Sequence, residues 1–254
     1  MRKKADRLGE RKYNNFGSEM IIIDYKNCHN VDIYFPEYNW TFYNTDYERF
    51  KKGNVVCPYE PFVYNVGYLG EGIYKPTTNG LINKMYDTWH SMIRRCYDEK
   101  SLSRNPTYKG CCVCNEWLNF QNFAEWFEQN YYEIEGETMN LDKDIILKNN
   151  KLYSPDTCVF VPQKINKLFV NRHNHRGILP LGVHMKNDGK YIARCGDGCG
   201  NKKHLGVFDT PEKAFKAYKE YKEKLIKDTA NMYKNIIPYT LYEAMYKYEI
   251  EMYD

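Results

Sequence analysis

No stretch of the 254-residue chain approaches the roughly 18 consecutive apolar residues that a membrane-spanning helix requires, so no membrane partner is expected. The first dozen residues, Met1 to Lys12, are basic and polar and lack the apolar centre of a secretory signal; they read as a flexible arm on a cytoplasmic protein. Nine cysteines, an odd number without such a signal, point to reduced thiols in a cytosol rather than to a disulfide framework. The glycines between Gly67 and Gly80 do not follow a strand and open a helix at phosphate-loop spacing, which excludes a nucleotide cradle there.

A net charge of +4 is modest, and its distribution says more than its size. Lys and Arg cluster in the first dozen residues, at Arg94 and Arg95, and from Arg172 to Lys203, whereas acids concentrate in the helices between and near the C-terminus. That pattern suits a polyanionic partner. The 25 tyrosines serve mainly as half-buried core and helix-face residues, although a surface tyrosine can also stack on a base.

The length favours two or three small domains. Short β-type runs at Met20 to Tyr25, Val31 to Phe35, Trp40 to Tyr43 and Asn54 to Cys57 predict a small barrel or curled sheet over residues 17–80, and the stretch Gly67 to Gly80 predicts a linker or long loop. Residues 83–97 carry Met85, Trp89, Met92, Ile93 and Cys96 at helical spacing, and a second helix is expected from Asn119 to Gln129 with Phe120, Phe123, Ala124 and Phe127 in one stripe. An apolar, β-branched segment Met139 to Leu147, a turn-rich stretch to Asp156, a strand Cys158 to Val161 and a helix Gln163 to Phe169 follow. Beyond a basic bridge, Asn171 to Arg176, come strands at Leu181 to Met185, Lys190 to Cys195 and His204 to Phe208. A helix then starts at Thr210-Pro211, with Thr210 as N-cap, and a last amphipathic helix begins near Pro238.

Alternation in Lys190-Tyr-Ile-Ala-Arg194 puts Lys190, Ile192 and Arg194 on one face of the strand and Tyr191 and Ala193 on the other, where the small Ala193 suits a helix behind the sheet. The string from Leu181 to Glu223 resembles the APETALA or ethylene-response-factor type of DNA-binding domain. Its marks are Gly182-Val183, Tyr191 to Arg194, Leu205-Gly206-x-Phe208 and the Thr210 to Tyr218 helix. The resemblance implies a three-stranded sheet laid into the major groove of duplex DNA with one helix packed behind it. Arg194 is then the candidate for a base or phosphate contact. Lys186, Lys190, Lys202, Lys203 and His204, with Arg172 and Arg176 of the bridge, are candidates for phosphates. Cys195 and Cys199 supply two thiols, and zinc there would need two more ligands.

Residues 85–171 resemble the HNH nuclease segments of phage and homing endonucleases. The shared landmarks are Trp89, Arg95-Cys96, Val113-Cys-Asn-Glu-Trp117, Leu141-Asp-Lys-Asp-Ile145, Tyr153 to Val161 and Asn166. The resemblance implies a ββα unit holding one Mg²⁺ or Mn²⁺ against the scissile phosphate while a base activates water. Asp142 matches the first metal-ligand position and Asn166 the last. Lys143 stands where the general-base His belongs and Thr157 where an Asn would orient it, and a lysine at its ordinary pKa cannot accept the proton. Asp144, His173 or His175 is left to act as base, or metal-bound hydroxide alone. On the strand, Asp142 and Asp144 face away from Leu141, Lys143 and Ile145, and the cost of burying Lys143 favours an exposed, twisted hairpin. Cys96, Cys111, Cys114 and Cys158 form a candidate structural zinc set alongside the alternative of buried thiols.

Together these features predict a multidomain α+β chain with a β-domain over 17–80, an HNH-like unit over 81–172, and a DNA reader with a C-terminal helix over 176–254. The expected function is a metal-dependent, homing-type DNA endonuclease or nickase of phage type. The alternatives are a catalytically inactive DNA-binding protein, such as a regulator or antagonist of host defence, and a protein-binding module built on the N-terminal β-domain.

Overall fold

The computed structural model describes residues 7–169, 179–198 and 200–253. The chain is mixed α+β with several small sheets, and it divides into two compact units, Met1–Gln129 and Asn130–Asp254. Among the described residues no helix is long and apolar enough to cross a membrane.

The N-terminal unit opens with a four-stranded antiparallel meander, β1 (Arg11–Tyr13), β2 (Glu19–Asn27), β3 (Asn30–Phe35) and β4 (Trp40–Thr45), in sequential order. Met20 and Ile22 of β2 and Val31, Ile33 and Phe35 of β3 alternate into a core that Phe50 of α1 (Tyr47–Lys51) completes. Of the two forms expected, a barrel or a curled sheet, the strands make an open four-stranded sheet. Two further expectations are corrected. Lys12 and the residues before it are not all arm, because β1 pairs with β2 and Arg7 lies 4.0 Å over the Tyr47 ring. Asn54 to Cys57 is not a strand: Val55 and Cys57 do point into the core, but the Val55 carbonyl accepts from Asn14 Nδ2 (3.2 Å) instead of from a neighbouring strand.

The glycine-rich stretch after it is a long loop, but a docked one. The Tyr68 amide donates to the Leu118 carbonyl and the Phe120 amide to the Tyr68 carbonyl, each at 2.9 Å. Gln121 clamps Tyr74 through both backbone groups, at 3.0 and 2.9 Å. A hairpin, β5 (Thr77–Thr78) and β6 (Leu81–Ile82), leads into α2 (Lys84–Tyr97) and α3 (Glu99–Arg104). After the short β7 (Cys112–Val113), α4 (Phe120–Asn130) buries the predicted stripe of Phe120, Phe123, Ala124 and Phe127. On α2, Trp89, Met92, Ile93 and Cys96 are buried as expected, and the Trp89 indole donates to the Trp117 carbonyl at 2.7 Å.

In the C-terminal unit β8 (Met139–Asp142) pairs antiparallel with β10 (Val159–Pro162), with β9 (Leu152–Tyr153) between them in sequence and α5 (Gln163–Phe169) directly after. The strand expected to reach Leu147 stops at Asp142, because Asp142 Oδ1 accepts the amides of Asp144 (2.9 Å) and Ile145 (2.8 Å) and bends the chain into a turn. A three-stranded antiparallel sheet follows, β11 (Val183–Met185), β12 (Tyr191–Gly196) and β13 (Lys202–Phe208), in sequential order. Behind it lies α6 (Pro211–Tyr233), with Pro211 in its first turn and Thr210 Oγ1 capping the Lys213 amide at 3.3 Å; α7 (Tyr239–Tyr246) closes the helical part.

One core runs through this unit. Val159, Val161, Ile165 and Leu168 of β10 and α5 join Val183, Ala193 and Cys195 of the sheet, Ala214, Phe215 and Tyr218 of α6, and Leu241 and Met245 of α7. The final residues are stitched into it: the Leu181 amide donates to the Met252 carbonyl (3.0 Å), the Ile250 amide to Glu223 Oε1 (2.9 Å), and Lys148 Nζ to the Glu249 carbonyl (3.0 Å).

Candidate nucleic-acid interface and carboxylate turn

The three-stranded sheet has one face against α6 and one toward solvent. Val183, Ala193 and Cys195 alternate inward, and Ala193 is fully buried against the helix. Close approach is enforced at Gly182, whose φ of +75° and backbone position leave no room for a β-carbon, which would fall 2.0 Å from the Tyr218 ring. The Gly182 carbonyl accepts the Arg194 amide at 2.9 Å, so this tight contact also seats the strand that carries Arg194.

The solvent face follows by alternation and cross-strand register. His184 sits opposite Ile192, Arg194 opposite His204, and Lys202 opposite Gly196, and His184, Arg194, Lys202 and His204 are all exposed. A register irregularity between Ala193 and Arg194 marks the point where the basic half of β12 begins. The expected partition of β12, with Ile192 and Arg194 outward and Ala193 inward, is therefore what the fold contains. Burial, and after it the charges of Arg194 and Lys202, hold the His184 imidazole below its ordinary pKa.

The remaining basic candidates differ in placement. Lys186 and Lys190 lie at the β11–β12 hairpin end, where Lys186 pairs with Asp188 (2.8 Å) and Lys190 approaches Asp209 (3.9 Å). Lys203 does not share the Arg194 face: it lies opposite buried Cys195, and its Nζ is 4.9 Å from the centre of the Tyr221 ring on α6. Arg172, His173, His175, Arg176 and Cys199 lie outside the described residues. His184 was not among the sequence candidates, although alternation outward from Val183 could have singled it out.

The turn after β8 holds the residues of the carboxylate candidate site. Asp142 is half-buried, with Oδ1 capping two amides, and desolvation together with the neighbouring Asp144 charge pushes its carboxyl up to about 6. The expected exposure of Lys143 is overturned. Its side chain is 7% exposed, and the ammonium is satisfied by Asp144 Oδ2 at 2.8 Å and the Asn150 carbonyl at 3.0 Å, while Tyr153 presents its ring at 5.8 Å. Asp144 is consequently an ion-pair partner as well as a candidate base. Thr157 closes its own turn, donating to the Leu152 carbonyl at 2.9 Å and lying 2.9 Å from Ser154 Oγ. Asn166 is half-buried on α5, which packs on β8.

As a donor set for a hard divalent cation, Asp142 and Asn166 offer the right oxygen chemistry, and a cation would offset the desolvation and the Asp144 repulsion that raise Asp142. Among the described residues no group of three or more His, Cys, Asp or Glu side chains is gathered as a metal would require. Of the four cysteines considered for zinc, Cys96, Cys111 and Cys158 are buried and Cys114 is half-buried, all four outside disulfide bonds. Burial raises the Cys114 and Cys158 thiols, Cys158 to about 12. No family model, curated protein or solved structure matches the chain.

Proposed function

We propose that the protein binds double-stranded DNA through the solvent face of β11–β13. The observation that carries this reading is the band of His184, Arg194, Lys202 and His204, which crosses all three strands and stays exposed while Ala193 and Cys195 tie the same sheet to its helix. A sheet of this width fits the major groove. A guanidinium at its centre can take a guanine edge or a phosphate, and the flanking lysine and histidines can take phosphates. Gel retardation of duplex DNA by the full chain should weaken steeply with added salt. The Arg194→Ala variant should bind roughly ten-fold more weakly. Binding that ignores salt, or an Arg194→Ala protein that binds as tightly as the original, would sink the proposal.

A second reading, metal-dependent hydrolysis of DNA, is favoured by one observation, the half-buried Asp142 carboxylate held in a tight turn beside Asp144 with its pKa raised. Asp142 and Asn166 would hold a Mg²⁺ or Mn²⁺ ion, which would supply charge stabilisation at the scissile phosphate. Lys143, tied to Asp144, keeps that carboxylate oriented and is not itself a proton acceptor. Nicking of supercoiled DNA in Mn²⁺ that disappears in Asp142→Asn, with DNA retention intact, would support this reading. Retention without nicking in the unmodified protein leaves the protein a non-cleaving binder.

A further inference from the structure

Helix α7 presents a row of aromatic rings whose middle member, Tyr242, rests on the core while the two at the ends face solvent. Leu241 and Met245 anchor it and are fully buried, whereas Tyr239, Tyr242 and Tyr246, three and four residues apart, line another face. Their ring centroids follow one another at 6.2 Å (Tyr239 to Tyr242) and 5.8 Å (Tyr242 to Tyr246), with planes inclined by 35° and 28°. The ends of the row are open to solvent, Tyr239 being 71% and Tyr246 46% exposed.

Lysines run alongside. Lys227 of α6 holds its ammonium 5.7 Å from the Tyr246 ring, and Lys234, at the C-cap of α6, holds its own 5.6 Å from Tyr242. Between them Asn231 accepts the Tyr242 hydroxyl at 3.2 Å. The nearest acid on α7 in sequence, Glu243, is occupied by Lys247 at 2.7 Å, and exposed Asp228 adjoins Lys227 on α6. A face that combines spaced, tilted aromatic rings with two ammonium groups beside them suits an occupant with flat π-systems at regular intervals and a negatively charged backbone. Unpaired nucleic acid has both. An acidic peptide offers charge without the rings, and a duplex keeps its base faces covered.

We propose that the α6–α7 face, centred on Tyr239, Tyr242 and Tyr246 with Lys227 and Lys234, is a stacking platform for single-stranded nucleic acid. The platform uses none of the residues on the solvent face of β11–β13. The test is fluorescence anisotropy of a labelled oligothymidylate with the full chain, at low and high salt, with thermal unfolding as the check on folding. The unmodified protein should bind, and Tyr239→Ala should weaken binding roughly ten-fold without loss of stability, since the ring is exposed. Tyr239→Phe should retain the affinity, and Lys227→Gln with Lys234→Gln should weaken binding and flatten its salt dependence. Arg194→Ala, which impairs the sheet, should leave oligothymidylate binding unchanged. The proposal is overturned if the chain does not bind the oligonucleotide, or if Tyr239→Ala binds as well as the original. It is equally overturned if Arg194→Ala abolishes binding, or if polyglutamate competes as well as unlabelled oligonucleotide.

Discussion

The turn after β8 and the solvent face of β11–β13 belong to one unit and share one core, and they dispose of their charges in opposite ways. In the turn, Asp142 caps backbone amides and Lys143 is sunk between Asp144 and a carbonyl, so each charge is answered from within the molecule. On the sheet, His184, Arg194, Lys202 and His204 face water, and under the proposed function that face is kept for a partner. A sequence that codes for two sets of ionisable groups can thus use one for local architecture and keep the other at the surface. What separates them is whether the neighbouring backbone bends back to meet the side chain.

Gly182→Ala should have the largest effect on this contrast. Its β-carbon has no room beside Tyr218 and its φ is positive, so a loss of at least about 3 kcal/mol is expected in denaturant unfolding, with duplex binding lost alongside. Next comes Asp142. Because its folded-state pKa lies near 6, above the ordinary carboxylate value of 3.8, the native state takes up the proton first as pH falls from 7 toward 4. This carboxyl's contribution therefore rises on acidification and fades above pH 6. Asp142→Asn keeps an oxygen for the two amides, and it should stabilise the protein at pH 8 by on the order of 2 kcal/mol and flatten that pH dependence. A variant with unaltered pH dependence would place the titration elsewhere.

The ion pair gives a smaller signal. Asp144 is half exposed, so Asp144→Ala should cost about 1 kcal/mol, mostly by stripping a partner from the buried ammonium. Adding Lys143→Met should recover that loss, and a double variant weaker than Asp144→Ala alone would show that the lysine stabilises through other contacts. The smallest expected change sharpens the sheet side: Lys202→Ala should lower the salt dependence of duplex binding by about one unit of slope, and Lys203→Ala, on the helix side, should not.

Much of the scaffold was legible in sequence because periodicity reports burial. The Trp89 to Cys96 and Phe120 to Phe127 stripes, the Thr210 cap and the alternation of Ala193 against Arg194 are all local signals that the fold obeys. What escaped was decided by partners distant in sequence or by side chains bonding to backbone. β1 is too short to announce itself and exists by pairing with β2. Val55 mimics a strand residue while its carbonyl serves Asn14. The end of β8 is set by one Asp142 oxygen, and the burial of Lys143 by an Asn150 carbonyl seven residues away. At the candidate interface the strand pattern ranked Arg194 first, but it could not separate Lys202 from Lys203, because the expected strand began at His204 whereas β13 starts at Lys202.

The last residues of the described chain lie on the lead into β11 through the Leu181 to Met252 hydrogen bond, and Ile250 reaches Glu223 of α6. A fragment cut after α6 to isolate the sheet and its helix would discard this clasp and expose Ile226, Ala230 and Tyr233, which Leu241, Met245 and Ile250 accompany in the core. The smallest excisable piece carrying the Arg194 surface must therefore run to residue 252, and shorter versions should aggregate or open at the first strand.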